Sequence, residues 1–191
     1  MSFALLLAPG AGADRDSPAL VAIENAVRPL AVARMDFPYR RAGRKSPDRP
    51  AVLLAAVQEG AADLSQRTGI APDHLFLGGR SMGGRICSMA VADGLPAAGL
   101  VLVSYPLHPP GKPDKLRTEH FPQIRVPCLF VSGTRDAFAT PDELEAATAA
   151  IPGPVTHAWL EGGNHGLRRR DEEVGTAVRD WLTAVALGLQ D

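Results

Sequence analysis

Cysteine is nearly absent. Cys87 and Cys128 are the two thiols in 191 residues, and their spacing suits no metal site. They read as buried, reduced side chains, which makes the cytoplasm the expected compartment. Neither sits in a turn that would present it as a nucleophile. No charge sign dominates either. Lys and Arg number 20 against 21 Asp and Glu, a net charge of −1. That balance provides no bulk attraction to nucleic acid or to an acidic membrane. No apolar run approaches the roughly 20 residues needed to span a bilayer. Met1-Ser2-Phe3 puts no basic region ahead of the first apolar stretch, so no secretory signal is expected. Repeats, low-complexity tails and composition breaks are missing too. The expectation is one domain over residues 1–191, able to bury roughly 70% of its unfolded surface. There is no Gly-Lys-Ser/Thr phosphate loop and no glycine fingerprint opening the chain. No cofactor and no metal are implied.

What is present is an alternation of short apolar runs with amphipathic stretches. Residues 3–8 read as a first strand, broken by Pro9-Gly10-Ala11-Gly12-Ala13. Asp16 or Ser17 can cap a helix that has Pro18 at its first position, with Ala19, Ala22, Ile23, Ala26 and Leu30 at helical spacing. Further strands are expected at 31–37, 74–77, 99–103, 127–131 and 154–160. Helices are expected at 51–67, 85–92, from Thr140 to about 151, and at 172–189. Thr140, Pro141 and Glu143 form a capping-box pattern. Residues 39–50 read as a polar loop. Residues 104–124 form the longest irregular stretch, and that length suggests a functional loop over a site. Such alternation predicts an α/β fold with about six mostly parallel strands. Ligands of such sheets bind at the carboxyl ends of the strands.

One stretch concentrates the chemistry. Leu75, Phe76 and Leu77 are unbroken apolar residues, as in a strand covered on both faces. Gly79-Arg80-Ser81-Met82-Gly83 follows, and then a helix start. Strand, sharp turn and helix are the setting in which a serine is exposed at the tip of a strained turn. Glycines flank it because a Cβ there would collide with neighbouring elements. A serine hydroxyl is a weak nucleophile and needs a base. His74, His108, His120 and His157 are the weaker candidates. His165, in Gly163-Asn164-His165-Gly166 just after the last strand, is the best placed. Asp136, after the fifth strand, is the expected acid to orient it, with Asp114 as the competitor. Backbone N–H groups of Met82 and Ala11 are the expected oxyanion donors, Gly12 being the alternative to Ala11.

On these residues the chain resembles the small α/β-hydrolase superfamily. It is most similar to bacterial proteins related to dienelactone hydrolases and to the hydrolase-like subunit of a chromatin acetyltransferase complex. The motifs are Leu7-Ala8-Pro9-Gly10-Ala11-Gly12, Gly78-Gly79-Arg80-Ser81-Met82-Gly83-Gly84, Gly133-Thr134-Arg135-Asp136 and Gly163-Asn164-His165. The order Ser, Asp, His along the chain is the one such hydrolases use. Two features depart from the pattern. Pro9 stands where the family usually has His, and the chain starts at what would be the family's third strand. The resemblance implies a minimal α/β-hydrolase fold without a lid domain. It implies a serine hydrolase acting through Ser81, His165 and Asp136, by an acyl-enzyme. A non-catalytic interaction module and an acyltransferase with the same residues are the alternatives.

A lidless site should be shallow, formed by Tyr39, Tyr105, Leu107, Phe138 and the long loop, and suited to a small soluble ester or thioester. Arg40, Arg41, Lys112, Lys115, Arg168, Arg169 and Arg170 crowd the same loops and hint at an anionic substrate. Asp142, Glu143, Asp171, Glu172 and Glu173 offset them, so these basic residues read as solvated surface.

Overall fold

Six strands build the sheet: β1 (Ala4–Ala8), β2 (Ala31–Arg34), β3 (Leu75–Arg80), β4 (Gly99–Val103), β5 (Cys128–Gly133) and β6 (Val155–Leu160). The computed structural model describes residues 2–188. The strand order is β2-β1-β3-β4-β5-β6, and every neighbouring pair is parallel. Parallel neighbours need crossovers, and helices supply them. They are α1 (Pro18–Ala26), α2 (Pro38–Arg41), α3 (Pro50–Thr68), α4 (Met82–Ala92), α5 (Pro141–Thr148) and α6 (Asp171–Ala186). Among the described residues no helix is long and apolar enough to cross a membrane.

Strand alternation sorts the sheet's side chains into two cores. Leu5 and Leu7 pack with Leu20 and Ile23 of α1 and with Val174, Val178 and Trp181 of α6. Ala4 and Leu6 face the other way, toward Leu53 and Val57 of α3, Ile86 of α4 and Leu144 of α5. Fully burying one such leucine contributes roughly 1.5–3 kcal/mol. Both faces of the sheet are therefore covered, which is why its strands read as continuous apolar runs rather than alternating ones.

Element ends differ from the sequence expectations for local reasons. β2 stops at Arg34, and Phe37 instead caps the short α2 inside the expected loop. β3 continues through Gly78 and Gly79 to Arg80, because Arg80 still pairs in register with Val103. α1 ends at Ala26, ahead of Leu30, and Ser17 caps it without a side-chain hydrogen bond. α5 carries the capping box of Thr140 and Glu143 but ends at Thr148. Position 189, the expected end of the closing helix, lies outside the described residues, as does Met1.

The order of the strands locates the site. From β1 the chain moves outward to β2, then returns to place β3 on the other side of β1. Connections after β1 and β3 thus leave in opposite directions and open a crevice at their carboxyl ends. The segment Pro9 to Gly12 and the turn at Ser81 meet there.

Candidate active site

Ser81 terminates β3 and caps α4 in a backbone conformation of φ 50° and ψ −118°. A side chain held there costs on the order of 1–3 kcal/mol. The surroundings hold it in place. The Ser81 N–H donates to the Val103 carbonyl at 2.8 Å, and the Ser81 carbonyl accepts from the Arg85 N–H at 3.1 Å. Two glycines make the turn possible. A Cβ at Gly79 would fall 2.0 Å from the Ala8 carbonyl oxygen, and one at Gly83 would fall 2.2 Å from the same atom. Only backbone without side chains passes between β1 and the turn.

The hydroxyl has a partner from a distant loop. Ser81 Oγ lies 2.9 Å from His165 Nε2. His165 Nδ1 lies 2.8 Å from Asp136 Oδ2 and 3.0 Å from Oδ1. A carboxylate only accepts, so Nδ1–H donates to it; neutral Nε2 is then free to accept the serine proton. The Asp136 side chain is fully buried, with 0% exposure. Its Oδ1 also accepts the Phe138 N–H at 2.8 Å. The Phe138 ring stacks on the imidazole, with centroids 3.9 Å apart and planes at 26°. A third contact anchors the histidine loop: the Arg80 guanidinium donates to the His165 carbonyl at 2.9 Å. Burial lowers the Arg80 pKa, partly countered by the Asp171 and Asp136 carboxylates.

Ala11 and Met82 line the hollow above Ser81. Among the described residues neither N–H donates to a protein acceptor. The Ala11 segment is shaped by an Ala13 N–H to Gly10 carbonyl turn at 3.1 Å and by the Tyr39 hydroxyl, which donates to the Ala11 carbonyl at 2.6 Å.

That bond corrects one expectation. Tyr39 is wholly buried and supports the loop from behind. Tyr105 is wholly buried too; its hydroxyl donates to the Arg117 carbonyl at 2.8 Å, and its ring packs on Phe121 and Phe130. Leu107 is likewise in the core. Their loop positions suggested lining residues, but aromatic and aliphatic bulk turns inward when a core can take it. Of the expected lining residues Phe138 does face the hollow. The hollow measures about 400 Å³ and is bounded by Ala11, Met82, Arg85, Pro106, Arg117 and Phe138 around Ser81. Its size falls in the range of small-molecule sites, roughly 300–1,000 Å³. A larger hollow, about 670 Å³, lies near Phe3, Leu30 and Leu182, at the opposite ends of β1 and β2 and away from this chemistry.

The other histidines are engaged elsewhere. His74 packs at a tilt against Phe3. His157 Nε2 meets Thr148 Oγ1 at 3.1 Å. His108 lies between the Pro109 carbonyl at 2.9 Å and Glu143 at 3.4 Å. Asp114 is exposed on the long segment. Both cysteines are free and buried, and burial pushes each thiol up to about 12.

His120 Nε2 is 2.8 Å from the buried Ser88 hydroxyl. Burial first, and the Arg85 charge second, push its pKa down to about 4 from 6.5. An unfolded histidine takes up its proton near about 6.5, so between these values the unfolded chain binds more protons. This contribution to stability is complete above about pH 6.5 and is lost as the pH falls toward about 4. His157, also lowered by burial, acts with the same sign. The urea midpoint is expected to drop between about pH 7 and about pH 5, and to drop less in His120→Asn, which cannot titrate there. Equal drops would assign the loss to other groups.

Comparison with known proteins agrees with this architecture. The family model described as Alpha/beta hydrolase domain matches residues 1–189. A 65-residue stretch, 34% of this chain, is 35% identical to epoxide hydrolase A from Mycobacterium tuberculosis, and the match spans 20% of that curated relative's length. An alpha-beta serine hydrolase homologue from Coxiella burnetii superposes with a TM-score of 0.76 at 17% identity, over 94% of this chain and 85% of that one. A thermophilic esterase from Thermogutta terrifontis gives 0.72 at 21%, over 97% and 91%. The dienelactone hydrolase of Anabaena variabilis gives 0.70 at 17%, over 100% and 88%.

Proposed function

Since the chain belongs to the Alpha/beta hydrolase domain family, we propose that it is a serine hydrolase of small carboxylic esters or thioesters, working through Ser81, His165 and Asp136. One observation carries the reading: a hydroxyl on a strained turn, 2.9 Å from an imidazole that is itself 2.8 Å from a fully buried carboxylate.

In the proposed reaction, Ser81 Oγ attacks the carbonyl carbon as His165 Nε2 takes its proton. Asp136 keeps the imidazole in the accepting tautomer and stabilises its charged form. The Ala11 and Met82 N–H groups face the oxygen that becomes negative. When the carbon–oxygen or carbon–sulfur bond breaks, His165 returns the proton to the departing alcohol or thiol. Water, activated by the same imidazole, then attacks the acyl-serine, takes up the acyl group and restores the hydroxyl. In an acyltransferase another acceptor would take water's place in that last step.

Covalent labelling tests the reading. A fluorophosphonate probe is expected to modify the folded protein at Ser81 and to leave Ser81→Ala unmodified. Folded wild type that takes no label would instead favour a non-catalytic interaction module. Chain-length series of 4-nitrophenyl esters would then define the acyl preference.

A further inference from the structure

The hollow above Ser81 holds two positive charges that acyl transfer does not use. Arg85 lies one helical turn beyond Ser81 on α4, and residues four apart share a helix face. Its Nε is buried and, among the described residues, meets no acceptor. Arg117 comes from the long segment after β4, and its backbone is pinned on both sides. The Arg117 N–H donates to the Leu107 carbonyl at 2.9 Å, and its carbonyl accepts from the Tyr105 hydroxyl. Among the described residues its guanidinium reaches only the Pro106 carbonyl, at 3.4 Å.

Among the described residues neither guanidinium has a carboxylate within 4.0 Å. Elsewhere on the surface arginines do find acids, as Arg40 finds Asp14 and Arg170 finds Glu173. Burial lowers the Arg117 pKa, and the neighbouring Arg85 lowers it further. Two like charges thus face one partly desolvated space. Repulsion and lost hydration both oppose that arrangement, and an entering anion relieves both. Planar guanidinium forks match carboxylate and phosphate oxygens. A substrate carbonyl held at Ser81 would let a short acyl chain run through the hollow toward them.

We propose that Arg85 and Arg117 are a specificity pair that selects esters whose acyl chain ends in an anionic group, a carboxylate or a phosphate-type oxyanion. The assignment rests on the serine-hydrolase reading given above. The seven basic loop residues singled out by sequence are not part of this pair; it is these two arginines, from a helix and a segment with a hydrogen-bonded backbone, that line the hollow at the nucleophile.

The test compares kcat/KM for three 4-nitrophenyl esters of matched length: the half-ester of glutaric acid, its neutral methyl ester, and a phosphonate-ended chain. Wild type is expected to prefer at least one anionic ester over the neutral one by roughly 10- to 100-fold, the range of a charge-assisted hydrogen bond. The arm preferred tells carboxylate from phosphate-type ligands. Arg85→Gln and Arg117→Gln should each reduce that ratio about tenfold or more, and Arg85→Lys should keep part of it. Added salt should reduce the wild-type ratio as well. The ratio in wild type decides even if one variant fails to fold. Fluorophosphonate labelling together with equal or faster cleavage of the neutral ester would overturn this inference and leave the hydrolase reading intact. Absence of labelling would remove the hydrolase reading itself.

Discussion

Replacing Ser81 with alanine is expected to lower kcat on a small ester by roughly 10⁴- to 10⁶-fold. In the proposed reaction, attack, proton removal and the acyl intermediate all depend on that oxygen. The remainder should exceed the uncatalysed rate, because the proposed oxyanion donors, the Ala11 and Met82 N–H groups, are left in place. Folding should survive: alanine removes one half-buried hydroxyl, and the turn is held by the Val103 and Arg85 backbone bonds rather than by the side chain. His165→Ala should cost about as much. The double variant should cost little more than either, since a nucleophile without its base and a base without its nucleophile are equally idle. Steady-state kinetics with thermal melts of all three variants check this. A Ser81→Ala protein that kept a tenth of wild-type kcat would mean that another group carries the reaction.

Much of this architecture is legible in the sequence because it is local. Leu75, Phe76 and Leu77 announce a strand covered on both faces, and Thr140 with Glu143 announces a helix start. Glycines 79 and 83 announce a turn through which no Cβ passes. What is local stops there. Whether Tyr39 faces a ligand or the back of a loop depends on Ala11, 28 positions away. Tyr105 is decided by Phe121 and Phe130. Sequence position placed both in a binding wall; packing put both in the core.

The arginines show the same boundary from the other side. Arg85 was within reach of a sequence argument, being one helical turn from Ser81. Arg80 sits inside the motif, yet its bond to the His165 carbonyl spans 85 positions. Arg117 becomes visible only when the long segment is folded back on itself, with Tyr105 holding its carbonyl. Net charge conceals all three, since the chain sums to −1. Burial and, for Arg85 and Arg117, the lack of a carboxylate partner among the described residues carry the information, and both are tertiary properties.

Asp136→Asn is expected to lower kcat by about 10⁴-fold with little change in melting temperature or KM. The geometry says why an isosteric change should be so damaging. Asp136 Oδ1 accepts the Phe138 N–H at 2.8 Å, and a buried amide N–H left without that acceptor would cost roughly 1–3 kcal/mol. The asparagine carbonyl oxygen should therefore take the Oδ1 position, leaving its NH₂ where Oδ2 now lies, 2.8 Å from His165 Nδ1. An NH₂ donates, so Nδ1 must accept. The imidazole proton then moves to Nε2 and points at Ser81, and the base can no longer take the serine proton. Phe138 still stacks on the ring and Arg80 still holds the loop, so orientation survives and the tautomer alone is wrong. The downfield Nδ1–H proton resonance of wild type should vanish in this variant while Ser81 and His165 stay within contact. If kcat remained within about tenfold of wild type, tautomer control would lie elsewhere, and the exposed Asp114 is too solvated to supply it.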